Sequence, residues 1–243
     1  MVSAADEIEP HLSDRPWIYL LPTVHPNNGP PAGFLALDAS VPSLPVTPRR
    51  LHSVANSALH HGYGIRSASD GILLLERGRP VQSIPASFYS FIFRRSTKIQ
   101  TLDVRWKQLR LSGVVVHPRS GGANRARPAI GLETYWRAQS RLPPGTRITF
   151  YLSPVYTGRH PSFSAGWVNE SDSPTWDWLP LTAWPGSRTI RADSLSLLPP
   201  ANSWGTVDVA VSVTGLGPAV ARGPAGTLIA PNVVRVGSVT VRP

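Results

Sequence analysis

The stretch Val207-Asp208-Val209-Ala210-Val211-Ser212-Val213 decides the fold class of the larger part of this chain. Valine at every second position, with other residues between, is typical of a β-strand with one face in a core. The same alternation recurs at 102–111, 130–137 and 148–153, and a last strand over 234–241 is predicted to carry a bulge near Gly237. Such runs between Pro- and Gly-rich turns predict an antiparallel β-sandwich, of jelly-roll or immunoglobulin-like kind, over residues 81–243.

The first eighty residues have a different pattern. Ser3-Ala4-Ala5-Asp6 predicts a helix start, because serine caps the first turn and an acid follows it. Thr47-Pro48 predicts a second helix that ends at Gly62. Short strands are predicted at 17–21 and 34–38, and a hairpin at 63–75 turns at Ser69-Asp70-Gly71. The sequence therefore predicts an α+β chain, with a small α/β domain over 1–80 and the sandwich domain over 81–243.

Charge divides the chain in the same way. Residues 1–80 hold six basic and seven acidic residues, whereas residues 81–243 hold eighteen basic and seven acidic ones. Nine of those basic residues lie between Arg94 and Arg127, where Asp103 is the one acid. The chain has no cysteine, which excludes thiol catalysis, disulfides and cysteine metal sites. The second domain is therefore expected to carry a positive field.

The first domain resembles the soluble tail that follows the last membrane helix in a family of bacterial polytopic membrane proteins of unknown function. Their membrane region is glycosyltransferase-C-like. The resemblance covers about a third of the chain. It rests on the order and spacing of Pro10-His11-Leu12-Ser13-Asp14-Arg15, Ile18-Tyr19-Leu20-Leu21-Pro22, Leu35-Ala36-Leu37-Asp38 and the segment from Tyr63-Gly64-Ile65 to Leu75.

The second domain resembles β-sandwich modules that end many such proteins. The matching features are the strand Leu132–Ala138, the Pro174-Thr175-Trp176 and Trp184-Pro185-Gly186 segments, the polar strand Arg191–Leu195, and the closing Val236–Val241. Insertions around Asp177–Pro180 and after Gly215 depart from the pattern. The resemblance implies a module at the extracytoplasmic face of the bacterial plasma membrane, beside the transmembrane region of a parent protein. It brings no catalytic residue.

A search for catalytic patterns points the same way. The chain has no G-x-G-x-x-G loop, no G-x-x-x-x-G-K-[ST] loop and no G-x-S-x-G elbow. His60 and His61 are adjacent on a helix, so their rings point about 100° apart and suit a solvated helix end better than a metal. Glu170, Asp172, Asp177 and Asp193 are predicted to be solvated loop carboxylates rather than a glycosidase pair. We expect no catalytic residue, metal or cofactor in this chain.

Aromatic residues cluster between 156 and 184. Flat aromatic faces stack on sugar rings, although tryptophan more often fills a core. The candidate ligand-binding residues are Tyr156, Trp167, Trp176, Asp177, Trp178 and Trp184.

The basic stretch is the second candidate site. Its residues are Arg94, Arg95, Lys98, Arg105, Lys107 and Arg110. A solvated surface, anionic lipid headgroups and nucleic acid are the three interpretations, and the resemblance favours the lipid over the nucleic acid.

Together these observations predict a non-catalytic extracytoplasmic domain of a glycosyltransferase-like membrane protein. It is expected to bind a glycan or a lipid-linked sugar and to face an anionic membrane surface. Two alternatives remain open. One is a freestanding carbohydrate-binding module; the other is a nucleic-acid-binding or capsid-like jelly roll, which the net charge of +10 suggests.

Overall fold

The chain is mostly β-strand, and its strands form three five-stranded sheets in the part that the structure describes. The structure is a computed structural model that describes residues 2–4, 8, 18–24, 29–40, 46, 48–119, 129–154, 167–171, 174–175, 178–197, 205–222 and 226–241. The chain divides into two compact units, Met1–Arg94 with Trp176–Trp178, and Arg95–Thr175 with Leu179–Pro243. The predicted domain boundary at residue 80 stays a prediction, and the first unit includes the segment that follows it.

The first unit holds one mixed sheet and one α-helix. Its elements are β1 (Val2–Ala4), β2 (Ile18–Leu20), β3 (Phe34–Asp38), α1 (Pro48–His60), β4 (Tyr63–Ser69), β5 (Ile72–Arg77) and a 3₁₀ helix (Ala86–Phe93). The strand order is β2-β1-β3-β5-β4. β1 runs parallel to β2 and β3, while β3, β5 and β4 are antiparallel.

Local sequence explains most of these elements. Gly62, with φ +87°, follows α1 as predicted, because glycine adopts the left-handed conformation that ends a helix. Asp70 and Gly71 both have positive φ and turn the β4–β5 hairpin, as the Asp-Gly pair predicts. Leu51 and Ala55 of α1 are buried, as are Leu73 and Leu75 of β5. The predictions of the helix that ends at Gly62 and of the hairpin at 63–75 are therefore confirmed.

The predicted helix at Ser3 is wrong at its start. Ser3 lies in β1, where it pairs with Tyr19 and Leu35 on its two sides. Ser3 and Ala4 are completely buried, and a middle strand of a sheet gains backbone hydrogen bonds on both edges. Sheet pairing across the chain thus overrides the local capping signal. The rest of that predicted helix lies outside the described residues, except Ile8.

The second unit holds two sheets in which every strand pair is antiparallel. Its strands are β6 (Gln100–Trp106), β7 (Leu109–Arg119), β8 (Ala129–Ala138), β9 (Arg147–Pro154), β10 (Trp167–Ser171), β11 (Ile190–Leu197), β12 (Gly205–Thr214), β13 (Val220–Ala221), β14 (Thr227–Ala230) and β15 (Val233–Val241), with a short 3₁₀ helix at Leu181–Ala183. One sheet, the β8 sheet, has the order β11-β8-β7-β6-β13; the other, the β12 sheet, has the order β10-β9-β12-β15-β14.

The valines of the predicted alternation lie in the core of the second unit, but the residues between them in β12, Asp208, Ala210 and Ser212, are buried as well, so this middle strand is covered on both faces. Val207, Val209, Val211 and Val213 of β12 are all buried, as are Leu132, Thr134 and Trp136 of β8. The two sheets contact each other between β7 and β15. Val209 pairs with Gly237 and Ala210 pairs with Arg235, so one extra residue sits in β15, which confirms the bulge near Gly237.

No helix within the described ranges has the length and apolar character needed to cross a bilayer.

Candidate functional site

The β6–β7 hairpin places charged side chains on one face and apolar ones on the other. Val104 and Trp106 of β6 are buried, while Asp103 and Arg105 alternate with them. Trp106 pairs with Leu109, so Lys107 and Gln108 form a two-residue turn at the hairpin tip. Because side chains alternate across a strand, the acidic and basic groups share the face turned away from the core.

One carboxylate on that face, that of Asp103, forms salt bridges with two arginines. Arg105 Nε lies 3.0 Å from Asp103 Oδ1 and Arg105 Nη2 lies 3.2 Å from Oδ2, while Arg110 Nε lies 2.9 Å from the same Oδ1. The hydrogen bond from Arg105, with the charges of Arg110 and Arg105, holds the pKa of Asp103 below its usual value, although slight burial opposes the shift. Asp103 is therefore ionised at neutral pH, and this trio keeps a net charge of one positive unit.

An open groove lies at the tip of this hairpin. It has a volume of about 720 Å³. Its walls include Arg105, Lys107, Gln108, Gln139 and Arg222 together with the loop 215–218. All of the lining residues belong to the second unit.

Backbone hydrogen bonds hold the walls of the groove in place. Gln139 N donates to Gln108 O at 2.8 Å, which ties the hairpin tip to the end of β8. Arg222 N donates to Asp103 O at 2.9 Å, which ties the segment after β13 to β6. Below them, Trp106 Nε1 donates to Asn232 Oδ1 at 2.6 Å. Two segments of the lining are thus tied by hydrogen bonds to neighbouring strands.

Two cations of the groove lack an acidic partner. In the part of the chain that the structure describes, neither Lys107 nor Arg222 forms a salt bridge, and both are exposed. The described lining of the groove contains no aspartate or glutamate. The groove therefore presents uncompensated positive charge, in contrast to Arg105, whose guanidinium is held by Asp103.

Gln108, a residue of the groove's lining, carries an unsatisfied acceptor. Gln108 Oε1 is buried and accepts no hydrogen bond among the described residues. A buried polar atom without a partner costs about 1–3 kcal/mol. A ligand hydroxyl or amide that donates to this oxygen would recover part of that cost.

The described lining of the groove offers polar and cationic groups that can bind a ligand. Among the described residues, no group of three or more histidine, cysteine, aspartate or glutamate side chains could hold a metal ion. The Asp103 carboxylate forms salt bridges with Arg105 and Arg110. Amides, cations and backbone groups in one concave place are suited to holding a polar anionic ligand.

A smaller cavity lies in the first unit. It has a volume of about 460 Å³ and is lined by Arg50, Ser53, Ser57 and His61 of α1 and its end, with Tyr63 beside them. Tyr63 donates its hydroxyl hydrogen to Ala32 O, and His61 Nδ1 lies 2.7 Å from Ser57 O. Both polar groups already have partners, so this cavity is the weaker candidate.

The predicted aromatic cluster is not gathered at one described surface. Trp178 is 3% exposed and packs in the first unit against Phe88 and His52, with both ring-centroid distances 4.8 Å. Trp184, in the second unit, is 4% exposed and donates from Nε1 to Leu179 O at 3.2 Å. Neither ring has an open face for a sugar in this state.

The other predicted aromatic residues add little. Trp167 lies in β10 and pairs with Leu152 of β9. Tyr156, Trp176 and Asp177 lie outside the described residues. Whether any of these six residues binds a ligand stays a prediction.

The predicted basic residues separate into two groups. Arg94 belongs to the first unit and forms a salt bridge with Asp70. Arg95 and Lys98 are exposed near the start of the second unit and do not line the groove. Arg105, Lys107 and Arg110 lie together on the β6–β7 hairpin, and the first two line the groove.

Sequence reasoning missed Gln108, Gln139 and Arg222 as site residues. The first could have been found, because alternation in 102–106 and 109–111 leaves a two-residue turn at Lys107-Gln108. Arg222 carries no such signal. It reaches the groove because β13 pairs with β6 across more than a hundred residues of sequence.

Comparisons with models of protein families, with curated proteins and with solved structures found no match to this chain.

Proposed function

We propose that this chain is a non-catalytic extracytoplasmic part of a glycosyltransferase-C-like bacterial membrane protein and that its second unit binds a glycan or a lipid-linked sugar. In this proposal the first unit is a small α/β domain beside the transmembrane region of the parent protein. The two antiparallel sheets of the second unit form a sandwich of jelly-roll or immunoglobulin-like kind. The groove at the β6–β7 tip is the binding site.

The observation that carries the proposal is the unsatisfied Oε1 of Gln108, a residue that lines the groove together with Gln139. Sugars present many hydroxyl groups, each of which donates one hydrogen bond and accepts others. Side-chain amides can both donate and accept, so two glutamines in a concave, open site suit a sugar ring. Trp106, the aromatic residue in the described lining, is 1% exposed, which favours hydrogen bonding over stacking as the mode of recognition.

A second function is favoured by one observation, the net charge of +10. A basic surface attracts nucleic acid through its phosphates, and such binding weakens steeply as salt is added. Nucleic-acid binding of this kind needs no acceptor at Gln108. Loss of the Gln108 amide should therefore weaken glycan binding and leave nucleic-acid binding unchanged.

The test is glycan binding by the full chain and by two glutamine variants. We expect Gln108→Leu to weaken binding to the best ligand of a bacterial glycan array by about fivefold, because a hydroxyl loses its buried acceptor. Gln100→Leu is the matched control, since Gln100 is exposed at the start of β6 and does not line the groove. Thermal unfolding of both variants reports whether the fold is intact.

Three results would contradict the proposal. One is the lack of any glycan bound at millimolar concentration. Another is equal loss of binding in both variants. The third is tight binding of a labelled DNA or RNA 20-mer that disappears at high salt, which would favour the second function.

For the location, protease added to intact cells should cleave the native protein, because the proposal places it outside the cytoplasm.

A further inference from the structure

We infer that the ligand of the groove is anionic, and that Lys107 and Arg222 take a phosphate ester carried by the saccharide. This inference rests on the proposed function and names the class of its ligand. It starts from the charges of the groove, since a neutral sugar needs none of them.

The charge balance of the groove leaves two cations without a counter-charge. Asp103 lies between Arg105 and Arg110 and offsets one of them. Lys107 and Arg222 receive no such compensation from the described residues, and no acidic side chain lies in the described lining. Two like charges on one concave surface repel each other, and an anion bound between them would relieve that repulsion.

The two cations come from two different segments of the groove's lining. Lys107 is in the turn of the β6–β7 hairpin, and Arg222 follows β13, whose Val220 pairs with Arg105. Both segments are held by backbone hydrogen bonds, from Gln139 N to Gln108 O and from Arg222 N to Asp103 O. The backbone beside each cation is thus hydrogen-bonded to a neighbouring segment, which lowers the ordering that ligand binding requires.

A phosphate ester fits this arrangement better than a carboxylate. A phosphomonoester carries close to two negative charges at neutral pH and three strong acceptor oxygens. Its charge and its oxygens would match one ammonium and one guanidinium together. A carboxylate carries one charge and two oxygens, which one guanidinium already satisfies in a bidentate pair, as Arg105 and Asp103 illustrate.

Phosphate recognition and hydroxyl recognition have separate residues in the groove. Lys107 and Arg222 supply charge, whereas Gln108 Oε1 supplies an acceptor that only a donor group can satisfy. A phosphate has no donor to give to that oxygen when it is fully ionised. The two parts of the groove therefore indicate one ligand with both a phosphate and free hydroxyl groups.

The experiment is a set of NMR titrations of the full chain labelled with ¹⁵N, followed at the backbone and side-chain amides of Gln108 and Gln139. Glucose, mannose and galactose are each titrated as the neutral sugar, as the 6-phosphate and as the 6-uronate, with inorganic phosphate as a further probe. We expect at least one 6-phosphate to bind about tenfold more tightly than its neutral sugar, because charge-assisted hydrogen bonds are the stronger ones.

Three charge variants then test the residues. We expect Lys107→Gln and Arg222→Gln each to weaken binding of that 6-phosphate by about fivefold, after allowance for the exposure of both side chains. Lys98→Gln removes the same charge from an exposed site that does not line the groove, and we expect its affinity to match that of the unmodified chain. Equal weakening in all three variants would indicate the general field of the unit and overturn the inference.

The probes separate failure of this inference from failure of the proposed function. If neutral sugars bind as tightly as their phosphates, the phosphate inference is wrong and glycan binding stands. If uronates bind as tightly as phosphates, the inferred preference for phosphate is wrong. If inorganic phosphate alone equals the sugar phosphates, the phosphate site stands and the glycan function fails. If no probe shifts either glutamine, both are wrong.

Discussion

Each unit has a β-hairpin with one carboxylate that lies between two arginines. On β4–β5, Glu76 Oε2 lies 2.9 Å from Arg66 Nη1 and 3.2 Å from Arg79 Nη1. On β6–β7, Asp103 lies between Arg105 and Arg110 at similar distances. In both, the hydrogen bond from one arginine is the main cause that lowers the pKa of the carboxyl group. The hairpins differ in what surrounds the trio.

The first hairpin's trio lines neither of the two cavities described above, whereas Arg105 lines the groove beside Lys107 and Arg222. Exposed ion pairs contribute little to stability, and many proteins carry them without a binding role. A carboxylate between two arginines is thus no sign of a site by itself. What distinguishes the second hairpin is that unpaired cations and an unsatisfied acceptor adjoin the trio in a concave place.

The largest expected effect tests how tightly each hairpin is built. Gly64→Ala would place a methyl group in conflict with Pro80 O and 2.6 Å from Arg79 O, both of which are backbone atoms. We expect a loss of about 1–3 kcal/mol in the free energy of unfolding, since backbone must move to make room. Urea denaturation followed by circular dichroism measures it.

Gly113→Ala on β7 is the matched comparison for that substitution. A Cβ there would meet the Cγ2 methyl group of Ile99, a half-buried side chain that can change rotamer. We expect a smaller loss than at Gly64. Equal losses, or a larger one at Gly113, would show that the second hairpin is the more constrained of the two.

A second test compares a buried phenol in each unit. Burial, together with a hydrogen bond to Glu133, raises the pKa of Tyr135 to about 12, and burial also raises the pKa of Tyr63, opposed by the charge of Arg77. A raised pKa means that the folded state holds the proton more tightly than the unfolded state does. The stability from Tyr135 is therefore fully present below pH 10 and is lost as pH rises towards 12.

Near-ultraviolet absorbance of tyrosinate during an alkaline titration measures this shift. Tyr135→Phe should leave the rise in tyrosinate absorbance near pH 10 unchanged. The rise near pH 12 should be smaller by the absorbance of one tyrosinate. If the rise near pH 10 is the smaller one instead, the phenol is solvated. The hydrogen bond from Tyr135 Oη to Glu133 Oε2, 2.8 Å long, would then be absent in solution.

Much of the fold follows from local sequence, because the signals and the contacts lie close together. The Asp70-Gly71 turn, the Gly62 helix end and the alternating valines of β12 each need only a few neighbours to be understood. The prediction of a helix at Ser3 is wrong because the strand partners of Ser3 are Tyr19 and Leu35, which no local pattern reveals. The 3₁₀ helix at Ala86–Phe93 was also missed, since its run of Phe88, Phe91 and Ile92 has no clear period.

The residues of the groove also divide into those that local sequence identifies and those that only the strand order brings together. Charge density alone identifies Arg105 and Lys107, which lie within one hairpin. Arg222 is brought to them by β13, and Gln139 by the end of β8, so their roles depend on the order of strands in the sheet. Strand order between distant segments is set by the whole core, and it was not readable from periodicity.

The smallest expected effect bears directly on the two charge trios. Asp103→Asn removes the carboxylate that holds Arg105, which then becomes a third cation able to donate to a phosphate in the groove. We expect the best sugar 6-phosphate to bind about twofold more tightly, a small gain because both groups are partly solvated. Glu76→Gln makes the same change in net charge in the first unit and should leave that affinity unchanged. An equal gain in both variants would mean that net charge alone sets the affinity. Weaker binding in Asp103→Asn would mean that Arg105 must be held in place for the groove to work.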